Sequence, residues 1–174
     1  MVLQRLPRLL VGLVLFGFGL GLTVLGGYGL PPWDVFHQGL AEQTLLSIGG
    51  AVIVVGALLL IVIVMLDEPI GVGTLANVVV IGLALDATLW LFDEPSHTVP
   101  RVVLTVVGPI VVAIGSGFYI GVGLGPGPRD GLMTALDRRG IALWKARAGI
   151  ELTALIAGVV LGGTVGWGTV WFLV

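Results

Sequence analysis

The sequence has 174 residues, 57% of them hydrophobic and only 10% charged, with a formal net charge of −2 and a mean hydropathy of +1.14. A soluble domain carries about a quarter charged residues and needs polar surface to cover its core, so the surplus apolar area is predicted to face lipid. With no cysteine, two histidines and no basic run, the chain has no material for disulfides, thiolate or His-rich metal sites, or a nucleic-acid surface.

A bilayer core of about 30 Å takes about 20 apolar residues per helix. The first run, residues 9–27, follows Arg5 and Arg8 as a leader would, but no small-x-small cleavage box ends it, so it reads as an uncleaved span. Gly26-Gly27-Tyr28-Gly29-Leu30-Pro31-Pro32 breaks the helix, because proline lacks the amide donor and clashes with the preceding turn. Asp34 follows at the place of an N-cap, and Val35, Phe36, Gly39 and Leu40 then recur at helical spacing opposite His37, Gln38 and Glu42. A short amphipathic helix is predicted over residues 34–44. Two further spans are predicted over 46–66 and 73–92, separated by an Asp-Glu-Pro turn at Asp67 that reads as a solvated helix stop, as does its counterpart at Asp93. A fourth span covers 102–123 and ends in a second Gly/Pro break, Gly121-Val122-Gly123-Leu124-Gly125-Pro126-Gly127-Pro128. Asp130 then caps a second short helix to residue 139, a fifth span covers 148–165, and an apolar stretch from 169 is too short to cross.

Placing the N-terminus in the cytoplasm puts Arg5, Arg8, Arg129, Arg138, Arg139, Lys145 and Arg147 inside and only Arg101 outside, as the positive-inside rule asks. The Asp34 break is then external and the Asp130 break internal.

The two breaks are copies. At a spacing of 96, Gly27, Gly29, Pro32, Asp34 and Leu40 meet Gly123, Gly125, Pro128, Asp130 and Leu136. One span later, Gly71-Val72-Gly73-Thr74 meets Gly166-Trp167-Gly168-Thr169 at a spacing of 95. Each unit reads as span, break with short helix, span, Gly-x-Gly-Thr turn, span. Three spans being odd, the second unit enters the membrane from the other side. The expected fold is therefore all-α: a polytopic transmembrane helix bundle of two inverted-topology three-helix repeats, residues 1–99 and 100–174, the second truncated. Either the chain is a piece of a longer one, or a neighbouring subunit fills the gap.

Pro32-Trp33-Asp34-Val35-Phe36-His37-Gln38-Gly39-Leu40, Gly71-Val72-Gly73-Thr74 with Asn77, and Gly125-Pro126-Gly127-Pro128-Arg129-Asp130-Gly131-Leu132 together resemble the YczE/YitT-type bacterial membrane proteins, the YczE branch in particular. The resemblance covers nearly the whole chain. It implies a bacterial multispanning inner-membrane protein with no assigned molecular activity. Members of that family usually continue past residue 174.

The candidate site follows from the repeat. If the two short helices are re-entrant, their positive N-terminal ends converge between the units on an anionic or polar solute held by Trp33, Asp34, His37, Arg129 and Asp130. If they lie flat at the two interfaces, the aspartates are only caps. Gly121-x-Gly123-x-Gly125 is no phosphate loop, since no strand precedes it and no Lys-Ser/Thr follows. Arg129 stands where the first unit has Trp33, and its guanidinium suits a two-pronged contact with carboxylate or phosphate, or alternatively pairs with Asp130, Asp137 or lipid headgroups. Asp86, inside the third span, needs a partner or a wet cavity, as a proton-coupling group, or else it makes a buried hydrogen bond or snorkels to the external face. Asn77, nine residues earlier and on the opposite helix face, and Thr74 are read as bonding a neighbouring helix. Glu151 lies four residues after Arg147, an ion-pair spacing, with a coupling carboxylate as the other reading. Gly17-x-x-x-Gly21 and Gly117-x-x-x-Gly121-x-x-x-Gly125 let helices approach, and the first and fourth spans are expected to cross.

The sequence thus predicts a small inner-membrane permease or channel-like protein, not an enzyme, with no metal and no cofactor. Its expected partners are the lipid bilayer, a small solute, and a second copy or a partner membrane subunit, with no nucleic acid. The alternative is a non-catalytic membrane scaffold or accessory subunit.

Overall fold

The structure, a computed structural model, describes residues 2–173. Eight helices are present among them: α1 (Val2–Gly26), α2 (Pro32–Gln43), α3 (Ile48–Met65), α4 (Val72–Leu91), α5 (Thr98–Ile120), α6 (Pro128–Arg138), α7 (Leu143–Val160) and α8 (Trp167–Leu173). Four are long and apolar enough to cross a membrane, over Gln4–Gly26, Ile48–Met65, Val72–Leu91 and Thr98–Ile120, and they fall on four of the expected spans.

The helix at the place of the fifth expected span is not among these four. α7 begins and ends five residues before the sequence-based bounds of 148–165 and takes in Lys145 and Arg147 as well as Glu151, so it is less apolar than the other four. Its early stop is a glycine effect. Gly162 adopts φ +100, and the Gly163 N–H returns to the Gly158 carbonyl at 2.8 Å, which closes the last turn as a left-handed cap.

The short helices also start earlier than expected. Pro31 and Gly127 are the N-cap residues, without side-chain caps, and Pro32 and Pro128 open the helices. Proline is suited to that first position, where its missing N–H costs nothing. Asp34 and Asp130 therefore lie in the first turn and are not N-caps. The reading of both as caps is corrected.

α1 is the central helix. On one side it buries Leu9, Leu13, Phe16 and Leu20 with Ile81 and Leu85 of α4 and Val112 and Tyr119 of α5. A Cβ on Gly17 or Gly21 would meet Ile81, Ala84 and Thr88, so α4 runs alongside α1 in the same direction. α5 crosses α1 in the opposite direction, Gly12 lying on Gly115 and Gly19 on Gly108. The expected crossing of the first and fourth spans is present, but Gly117 has open space around it and Gly17-x-x-x-Gly21 faces α4. α3 packs antiparallel on α4 through Gly49 against Gly82 and Gly56 against Val78.

Large apolar side chains point outward all along the long helices: Leu58 and Ile61 on α3, Leu83 on α4, Ile110 and Ile114 on α5. That much contiguous apolar surface is tolerated only in lipid. Exposed Trp90 at the end of α4 and Trp144 at the start of α7 mark opposite ends of the bundle, the place of aromatic belts.

Several contacts come in exchanged pairs at the spacing of the sequence copies. Arg5 Nη1 donates to the Val122 carbonyl at 3.2 Å, and Arg101 Nε, 96 positions on, donates to the Gly26 carbonyl at 3.1 Å. The Gly73 N–H donates to the Leu124 carbonyl at 2.8 Å and the Gly168 N–H to the Tyr28 carbonyl at 2.9 Å. Thr74 and Thr169 each accept from the N–H three residues earlier, at 3.2 and 3.3 Å. Gly29 at φ +111 and Gly125 at φ +115 lie against Gly166 and Gly71, where any side chain would strike backbone.

The turn at Asp67 is not simply solvated. Asp67 takes φ 56 to end α3, and buried Glu68 pairs with Arg138 Nη1 at 3.2 Å while Arg139 donates to the Leu66 carbonyl at 2.9 Å. The turn is tied to the end of α6.

Candidate functional site

The chain leaves α1 at the end of the bundle that holds Arg101, passes through the Gly27–Pro31 break, and then turns back outward as α2. The break brings the first turn of α2 to mid-height. Trp33, Asp34 and His37 share a small crevice of about 40 Å³ with Phe16 and Leu20 from the middle of α1, Val55 from the middle of α3, and Val78 and Ile81 of α4. From there α2 returns along α7, with Gly39 and Val35 against Gly158 and Gly163, and ends where Gln43 donates to the Leu161 carbonyl at 3.1 Å. Gln38 accepts from the Thr164 N–H at 2.7 Å, which pins this hairpin to the end of α7. α2 is therefore not a surface helix; Asp34 is 2% exposed and His37 5%.

Inside the crevice Asp34 Oδ1 lies 3.2 Å from His37 Nδ1, one turn apart on α2. Burying a carboxylate costs several kcal/mol unless it is paired, and the imidazole supplies that partner when Nδ1 carries a proton. Trp33 is 7% exposed, and its indole Nε1 is buried with no hydrogen-bond partner among the described residues. An unmade buried N–H costs about 1–3 kcal/mol.

α6 delivers Arg129 to the same point. Its guanidinium lies over the Trp33 ring, 5.4 Å from the centroid, so the first turns of the two short helices touch. Trp33 and Arg129 are the residues that match each other in the two sequence copies. Among the described residues Arg129 is in none of the ion pairs, which join Asp34 to His37, Glu94 to Arg101, Glu68 to Arg138 and Glu151 to Arg147. The predicted pairing of Arg129 with Asp130 or Asp137 is absent from these pairs, and an aromatic face takes its place.

On the other side of Arg129 lies a second cavity of about 200 Å³. Arg129, Asp130 and Glu151 line it with Asn77 of α4, and Phe16, Val112 and Met133 form apolar walls. Asp130 accepts from the Tyr119 hydroxyl at 3.1 Å, and Arg147 Nε donates to Glu151 Oε1 at 3.3 Å. The Asn77 amide and the Tyr119 hydroxyl close on Gly127, where a Cβ would crowd both. The glycine before Pro128 is what lets them reach the start of α6.

Seven of the eight sequence-derived site residues gather here: Trp33, Asp34, His37, Arg129, Asp130, Asn77 and Glu151. Asp86 does not. It accepts from the Gly49 N–H at 2.8 Å and from the Ser47 hydroxyl, at the start of α3. Asn77 faces the cavities instead of only bonding a neighbouring helix. Sequence reading missed Tyr119 and Ser116, which line the cavity with Val112 along one face of α5. Their spacing of three to four residues was the available signal. Among the described residues no three His, Asp or Glu side chains converge as a metal ion requires.

Helices of this length and composition, with apolar side chains outward and a polar chamber within, define a multi-pass α-helical membrane protein. The chain belongs to the DUF6198 family, a family of unknown function, which matches residues 3–174. It is 36% identical over 170 residues to an uncharacterised protein of Haemophilus influenzae, an alignment covering 97% of this chain and 78% of that one. It is 33% identical over 162 residues to the uncharacterised membrane protein YczE of Bacillus subtilis, covering 91% of this chain and 75% of YczE. YyaS, an uncharacterised protein of the same bacterium, is 24% identical over 169 residues, covering 91% of this chain and 82% of YyaS. No solved structure matches.

Proposed function

We propose that this protein is a small permease or channel-like protein of the bacterial inner membrane, with a cytoplasmic N-terminus. Its solute, small and either anionic or polar, binds between two inverted repeats, and its role is passage and not catalysis. One observation carries the reading: the first turns of α2 and α6 meet at mid-height, and Arg129 stands there on the Trp33 ring, outside the ion pairs. Interrupted helices that end at the membrane midplane are how secondary transporters hold solutes, their N-terminal partial charge facing anionic groups. The exchanged contacts, Arg5 with Val122 against Arg101 with Gly26 above all, are what a two-fold relation between the units requires, which supports the inverted repeat.

The test is uptake by proteoliposomes holding the full chain, with a panel of small organic anions and polar solutes. Arg129→Ala is expected to cut uptake of the accepted solute by about tenfold to a hundredfold, the worth of a charge-assisted hydrogen bond. Asp34→Asn is expected to reduce it as well. Folded variants with unchanged uptake sink the proposal. Stoichiometric co-purification with another membrane protein, without uptake, would favour the scaffold reading.

A further inference from the structure

We infer that the solute is a compact zwitterion carrying a carboxylate and a protonated primary or secondary amine, held between Arg129 and Asp130 in the cavity bounded by α4, α5, α6 and α7. The inference rests on the permease reading and narrows it. The cavity does not have the charge of an anion site. Two cations, Arg129 and Arg147, and two carboxylates, Asp130 and Glu151, line it, so it is neutral as a whole and dipolar within. Arg147 and Glu151 already satisfy each other at 3.3 Å. Arg129 and Asp130 are neighbours in sequence, about 100° apart around the helix, and form no ion pair with each other. The Trp33 ring holds one and the Tyr119 hydroxyl the other. Opposite charges are thus fixed side by side without cancelling.

This arrangement is selective. A bare anion that reaches Arg129 is also repelled by Asp130, and a bare amine on Asp130 is repelled by Arg129, while the paired Arg147 and Glu151 largely offset each other. Both repulsions are steep where water is scarce. A zwitterion meets each charge with its opposite and crosses without net charge. The forked donors of Arg129 suit a carboxylate. Asp130 accepts hydrogen bonds, so it favours an amine that still carries N–H over a quaternary one. The walls of Phe16, Val112 and Met133 are placed for the methylenes between the two groups. At about 200 Å³ the cavity is smaller than the sites that hold drug-sized ligands, so the skeleton is short.

Calorimetric titration of the purified full chain tests this with length-matched probes: glycine, β-alanine and γ-aminobutyrate against acetate, propionate and butyrate, and against the corresponding alkylamines. At one length at least, the zwitterion is expected to bind roughly thirtyfold or more tightly than its matched anion and amine, since losing the partner of a buried charge costs about that much. Asp130→Asn keeps an acceptor for Tyr119 and is expected to erase the advantage over the anion. Arg129→Gln is expected to erase the advantage over the amine. Matched anions that bind as tightly as zwitterions at every length overturn the inference, as does an unchanged ratio in Asp130→Asn. Anion binding and uptake alone would leave the permease reading standing; no binding of any probe overturns the inference, and no uptake across the wider solute panel ends the permease reading as well.

Discussion

The carboxylate of Asp86 accepts from the Gly49 N–H and the Ser47 hydroxyl, so it satisfies groups at the start of α3 that no helical partner can reach. A carboxylate at a helix N-terminus is favoured by the partial charge there, and its removal costs about 1–2 kcal/mol. Asp86→Ala is therefore expected to lower the detergent-solubilised Tm while leaving uptake per folded molecule unchanged. Lost uptake at an unaltered Tm would restore a coupling role for this residue. Arg129 is the opposite case, since its truncation removes a cation that no carboxylate in the four ion pairs engages. The sequence marked Asp86 as a charge inside a span and Arg129 as the cation standing where the first unit has Trp33, but it could not say which of them had a partner. That depended on Ser47, 39 residues away from Asp86, and on the Trp33 ring. Tyr119 escaped notice for a similar reason: its spacing from Ser116 marks a face of α5, but the sequence does not show that Asp130 is opposite it.

Between elements, close approach of α1 and α5 rests on glycines seven apart, Gly12 and Gly19 on α1, and Gly108 and Gly115 on α5. The carbonyl of Gly12 lies on Gly115 and that of Gly19 on Gly108, so the helices touch through backbone. A side chain in that seam forces them apart, and overpacking of this kind costs about 1–3 kcal/mol or more. Gly115→Leu is expected to lower the Tm by several degrees or abolish a monodisperse preparation, whereas Gly117→Leu, in open space, is expected to be neutral. Equal losses at the two positions would mean that α1 and α5 are not packed in this way. With 29 glycines, spacings of four arise in several places, and spacing alone did not distinguish the seam from the lipid-facing side. Four of the long helices were legible because hydropathy needs no partner to be read. The bounds of α7 were not, because Gly162 ends the helix through a local left-handed turn, while the apolar run continues beyond it.

For the molecule as a whole, the two short helices determine what the bundle can do. If α2 enters from one face and α6 from the other, the meeting of Trp33 with Arg129 lies on a two-fold relation, and each half can open toward its own compartment in turn. If both enter from one face, the same contact is only the floor of a one-sided pit. The chain holds no cysteine, so single-cysteine variants report without background. Leu45 follows α2 and is fully exposed; Ile141, 96 positions later, follows α6 and is exposed too. In intact cells, Leu45→Cys is expected to react with a membrane-impermeant maleimide from outside, and Ile141→Cys only after the membrane is opened. The cationic side chains support that assignment, since Arg5, Arg8, Arg138 and Arg139 gather at the end of the bundle where α6 finishes, and Arg101 sits at the other. Labelling of both positions from the same side would remove the inverted relation, and alternating access along with it. The charges around Arg129 would then need an explanation other than transport.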